Sequence, residues 1–178
     1  MSTFTRLGQI FWGLLMVIVD FRFDGFDILP DFMGYILVAV GCGGLSDESP
    51  HFLAARTWSW LLVILSIVEF FIPSGLAFAF GALAGAANCV MMWFLLGGIT
   101  DFAAARGRSD LSSRALNRRV AYVGIVGLAI LVGLFPRGLR DPMSALGAVL
   151  SVCMLIVLVL IVHLIYRVRH ELATENAA

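Results

Sequence analysis

Six apolar runs, each near the roughly 20 residues that a helix needs to cross a hydrocarbon core of about 30 Å, fill most of this 178-residue chain. A backbone at that depth must satisfy its own hydrogen bonds, so runs of this length and character read as helices whose surrounding solvent is lipid. The composition agrees: 61% of residues are hydrophobic, 13% are charged, and the mean hydropathy is +0.98, far from the balance of a water-soluble domain.

The charged residues narrow the chemistry further. All 12 basic residues are arginine, so no lysine is present to act as a Schiff-base nucleophile, a low-pKa base or a P-loop cation. Cys42, Cys89 and Cys153 lie singly in apolar runs with no C-x-x-C pair, which argues against a redox dithiol or a structural zinc site and for small packing residues. A formal net charge of zero and no polybasic tail leave nucleic acid without an electrostatic footprint to bind.

The runs predict helices at about 4–21, 27–45, 50–72, 74–102, 113–135 and 142–173 in one domain spanning 1–178. The first run lacks a small-residue cleavage site and reads as a retained helix. Asp27 is placed to cap the second helix, with Pro30 tolerated in its first turn. Ser49-Pro50 and Asp141-Pro142 each give a cap followed by proline. Pro73 and Ser74 leave only a tight turn between helices three and four, and the stretch 103–119, with five arginines, reads as a soluble linker. Trp58 and Trp60 suit an interfacial belt.

Translocation disfavours arginine near helix ends. With both termini in the cytoplasm, Arg6, Arg56, Arg106, Arg108, Arg114, Arg118, Arg119, Arg167 and Arg169 fall inside, against Arg22, Arg137 and Arg140 outside. This topology puts Asp20, Asp24, Asp27 and Asp31 on the outer face with those three arginines, and Glu69 about one turn below it.

Two readings of that acidic cluster stand side by side. It can present hard oxygen ligands to a cation or form a polar vestibule. Alternatively, Asp27 and Asp31 serve the N-terminus of helix two while Asp20 and Asp24 are solvated loop charges. Glu69 lies in an apolar run, where a charge costs about 2.5–3.5 kcal/mol unless it finds a partner or water. Arg22, Arg137 or Arg140 can supply one. Asn88 shares a helical face with Gly81 and Gly85, a small-x-x-x-small surface that predicts close helix packing, or a midplane polar site in a carrier. His163 falls near the inner interface with Arg167 and His170.

Two enzyme patterns fail on the residues. The aspartate-rich signature of CDP-alcohol phosphotransferases needs an Ala-Arg pair after its glycine, whereas Phe26 follows Gly25 here. A rhomboid-type dyad of Ser74 and His163 would have its members near opposite faces, beyond hydrogen-bond reach. The segment Phe26-Asp-Ile-Leu-Pro-Asp-Phe-Met-Gly-Tyr35, preceded by Asp20-Phe-Arg-Phe, resembles one found in small bacterial multi-pass membrane proteins. That resemblance covers about the first two helices, implies a bacterial inner-membrane setting and names no substrate.

The expectation is therefore an all-α integral membrane bundle of six transmembrane helices, with the bilayer as its solvent and no cofactor or catalytic residue indicated. Three functions fit, in order: an interaction or accessory protein binding a membrane partner or a second copy; a small ion or solute carrier with an outer acidic vestibule; and a metal-dependent lipid enzyme. Asp20, Arg22, Asp24, Asp27, Asp31, Glu69, Asn88, Arg137 and Arg140 are the candidate binding residues, and the metal, if any, is left open.

Overall fold

A computed structural model describes residues 2–18, 22–23, 26–27, 31–73, 75–133 and 140–172; the side chains of residues 22, 23, 26, 27, 78, 140–145 and 172 are not described. Six helices make the fold: α1 (Thr3–Ile18), α2 (Asp31–Gly43), α3 (Pro50–Glu69), α4 (Ala77–Ala105), α5 (Ser109–Gly133) and α6 (Arg140–Leu172). Each packs on the next in sequence, and α6 closes back on α1. Successive helices run antiparallel, so the N-terminus of α1 and the C-terminus of α6 share one end, where Phe4 stacks edge-on to His170 at 5.8 Å.

Four helices carry stretches long and apolar enough to cross a membrane: Pro50–Glu69, Ala79–Ala105, Ser109–Val132 and Leu146–Glu171. The first two helices do not reach that length. The 13 residues of α2 span about 20 Å at the usual helical rise and the 16 of α1 about 24 Å. Between them, Arg22–Phe23 (β1) pairs antiparallel with Phe26–Asp27 (β2), in register Arg22 to Asp27 and Phe23 to Phe26. Asp27 therefore belongs to a strand and does not cap α2, which starts at Asp31. The intervening Asp24-Gly25 is the residue pair that two-residue hairpins favour, a signal the apolar periodicity obscures.

The stretch 103–119 is helical almost throughout. Ala103, Ala104 and Ala105 extend α4 because alanine loses least on entering a helix. The chain then turns over three residues at Gly107, φ +72°. There Arg108 N–H donates to Ala103 O and Gly107 N–H to Ala104 O, both at 3.0 Å, the paired bonds of a glycine-terminated helix end. The Ser49-Pro50 signal operates as expected: Ser49 Oγ accepts from His51 N–H at 3.2 Å, with proline in the first turn of α3.

Glycines set the tightest helix pair. A Cβ on Gly13 would lie 2.6 Å from Gly34 O, and one on Gly34 would lie 2.7 Å from Gly13 O, so α1 and α2 meet backbone to backbone. Gly41 continues the seam against Ile10 and the Arg6 carbonyl. Gly81 and Gly85, expected to mediate close packing, instead have nothing within 4 Å of a built Cβ.

The core lies in the half of the bundle nearer the termini. Leu7, Ile10, Val38, Phe52, Met91, Leu95, Ile99, Ile161, Ile165 and Val168 are all fully buried there. At the same end, Arg106, just past α4, pairs with Glu48, just before α3, at 3.3 Å, and Glu171 of α6 receives Arg167 of its own helix and Arg108 of the α4–α5 turn. Asp110 and Glu171 hold the Arg108 guanidinium above its ordinary range by hydrogen bonding. These groups are open to water and screened. Glu171→Gln is accordingly expected to leave Tm unchanged while speeding amide hydrogen exchange in the last turn of α6; a large Tm loss would give the ion pairs a heavier role.

Candidate functional site

Away from the termini, α4, α5 and α6 separate. The space between them is a cavity of about 810 Å³, walled by Ala77, Gly81, Ala82, Gly85 and Asn88 of α4, by Tyr122 to Val132 of α5, and by Gly147 to Leu158 of α6, with Ile18 of α1. It exists because the walls facing it are small: glycine or alanine at six of the lining positions, where leucines would fill it. The cavity ends against the buried layer of Ala87, Met91, Leu95, Ile161 and Ile165. Among the described residues, no polar side chain carries it through that layer.

Three polar groups line the cavity. Ser151 donates its hydroxyl back to Gly147 O at 2.9 Å. The Asn88 amide and the Tyr122 hydroxyl make no hydrogen bond to another described residue, leaving an amide and a phenol available to a guest. An apolar room with two unspent polar groups suits an apolar or amphipathic occupant. A bare ion would find one amide and one phenol there, too little to replace a hydration shell.

The residues expected to form an outer acidic site are only partly placed. Asp20, Asp24 and Arg137 lie outside the described residues, and Arg22, Asp27 and Arg140 are described in backbone only. Asp31 opens α2, where a carboxylate complements the helix dipole, and it takes part in a polar interaction. Glu69 is the last residue of α3 and is exposed, one turn before Pro73 and flanked by Val68, Phe70 and Phe71. Among the described residues it forms no ion pair, and no group of three or more His, Cys, Asp or Glu could hold a metal. His163 is exposed on α6, and Ser74 lies outside the described residues.

A serine, histidine and aspartate do meet at the terminal end, unanticipated from the sequence. Ser49 Oγ donates to Asp101 Oδ2 at 2.6 Å, and His51 Nε2 lies 3.9 Å from the same oxygen. The order is wrong for a nucleophile. The hydroxyl proton goes to the carboxylate, not to the imidazole, and the oxygen is already engaged in capping α3. The trio instead fastens the start of α3 to the end of α4. The Ser49-Pro50 cap was the only sequence mark of this spot, since Asp101 is remote in the chain.

The chain matches no protein-family model, no curated protein and no solved structure.

Proposed function

We propose that this chain is a multi-pass protein of a bacterial inner membrane, its six helices threading the bilayer with both termini in the cytoplasm, and that it works by binding a partner helix in the α4–α6 cavity. Supporting the membrane setting are the large apolar side chains left outside the bundle, such as Val149, Val152, Ile156 and Val159 of α6, each more than half exposed. A water-soluble surface does not carry such a belt.

The observation that carries the binding role is the unpacked small-residue stripe. In lipid, helices associate through glycine and alanine faces that let backbones approach. Gly81, Gly85 and Gly147 present such a face to open space. The guest is a helix of a membrane partner or of a second copy, and Asn88 and Tyr122 supply its polar contacts. A carrier with an acidic entrance draws less support, because the cavity meets a dry layer toward the termini.

A photoreactive residue at position 85, irradiated in intact membranes, tests this. The expected product is an adduct of polypeptide mass, lost when Gly81→Leu fills the stripe at no packing cost to the fold. Adducts of lipid mass alone would overturn the helix-binding reading, and labelled-solute flux through reconstituted vesicles would replace it with transport.

A further inference from the structure

The arginines of the terminal end are held in different ways. Arg106, Arg108 and Arg167 are matched by Glu48, Asp110 and Glu171. Arg119 lies 3.6 Å over the Trp93 ring and Arg169 lies 4.0 Å over Phe4, each wedged against a neighbouring helix. Arg6 and Arg56, like the exposed Arg114, have neither a carboxylate within 4 Å nor a ring beneath the guanidinium among the described residues; what sets them apart is that they border one pocket. Each guanidinium presents a fork of N–H donors, yet the pair makes a single hydrogen bond among the described residues, a long one from Arg6 Nη1 to Val40 O at 3.5 Å.

These two side chains come from α1 and α3 and converge over the C-terminal turn of α2, where they border a pocket of about 260 Å³. Its floor is Gly43-Gly44. A Cβ on Gly44 would collide with the Arg6 guanidinium, and one on Gly43 would lie 3.2 Å from Arg56 Cδ and Nε. Capping the α2 dipole does not account for both cations, because a helix end carries only about half a charge. Nor is the pocket wholly polar. Val40 and Trp60 line it, and Trp60, one turn along α3 from Arg56, is 42% exposed.

We infer that this pocket binds the phosphate of an anionic membrane lipid, the two guanidiniums holding the phosphodiester and the Trp60 and Val40 wall receiving the glycerol and the first acyl carbons. The inference rests on the membrane reading and is independent of what fills the α4–α6 cavity. Guanidinium forks match phosphate oxygens and lose little entropy in doing so. A basic recess between helices beside an interfacial indole is where anionic headgroups dock. The volume admits one headgroup, below the range of pockets that enclose whole drug-sized ligands. The apolar wall selects lipid over free phosphate, which has nothing to place against it.

The test uses the full chain in phosphatidylcholine nanodiscs containing a minor share of phosphatidylglycerol, with retained lipid counted by native mass spectrometry. One phosphatidylglycerol is expected to stay bound. Arg56→Ala and Arg6→Ala should each cut its retention roughly tenfold, the loss of one charge-assisted contact of about 1.4 kcal/mol. Gly43→Val, which keeps both charges and fills the floor, should do the same. Arg114→Ala removes an exposed arginine of the same end and should change nothing. Equal loss in the Arg114 variant, equal retention of phosphatidylcholine, or displacement of the lipid by inorganic phosphate would each overturn the site. A chain that stays in solution without detergent or nanodisc would instead overturn the membrane reading itself.

Discussion

Gly34→Ala is expected to cost about 1–3 kcal/mol of stability, the range for overpacking a filled contact, and Gly34→Leu is expected to abolish a stable α1–α2 pair. The reason is that, behind the Val17 Cγ2 methyl at 2.6 Å, the other two obstructing atoms are backbone. Gly13 O stands 2.7 Å from where the new Cβ would be, and Val17 N stands 3.2 Å away. No rotamer change relieves either, so the helices must part, and with them Leu7, Ile10, Val38 and Cys42, which are fully buried around the seam. Gly85→Ala makes the informative contrast. Its Cβ meets nothing within 4 Å, so only the helix preference acts, a gain of about 0.5–1 kcal/mol. Unfolding of both variants by titration with a denaturing detergent measures the difference. Opposite signs at positions 34 and 85 are the expected result. Equal responses would mean that the glycine seam and the open stripe have been assigned to the wrong helices.

That contrast also marks what could be read from the sequence and what could not. Helices three to six follow from uninterrupted apolar length, and Ser49-Pro50 announces the start of α3 through chemistry local to a few residues. The glycines resisted such reading. Gly81 and Gly85 carry the spacing of a packing face, whereas Gly13 and Gly34 stand on separate helices with no short motif, yet the second pair makes the contact. Which glycine finds a neighbour depends on how α4, α5 and α6 diverge, a property of the whole bundle. The stretch 103–119 misled for a different reason. Its arginines look like a linker when hydropathy is the only guide, but arginine is a good helix former, and those at positions 106, 108 and 119 are used at helix ends and faces. Likewise Asp24-Gly25 signalled a hairpin that the apolar pattern around it overrode. Of the candidate site, Asn88 was found as a polar residue in an apolar run, while the Arg6–Arg56 pocket was invisible because its residues come from three helices.

Arginine placed at both Val152 and Val159 should abolish membrane integration, and this is the largest effect expected of any exposed pair. The two valines are 58% and 57% exposed on α6 and lie seven residues apart, on one face of the helix. If that face meets lipid, each arginine costs about 2.5–3.5 kcal/mol near the middle of the span, or roughly 5–7 kcal/mol together. If it meets water, substitutions at such exposed positions stay within about 0.5 kcal/mol. No other single comparison separates the two solvents so widely, because the contacts inside the bundle are identical in both cases. His163→Arg supplies the depth control. His163 is exposed on the same helix but closer to the arginine-bearing end, where a guanidinium can reach the interface and the cost falls away. Carbonate extraction of membranes from expressing cells gives the readout. The double variant should leave the pellet while His163→Arg stays in it. Retention of both at wild-type level would remove the lipid-facing belt on which the binding of a partner helix and of an anionic headgroup depends.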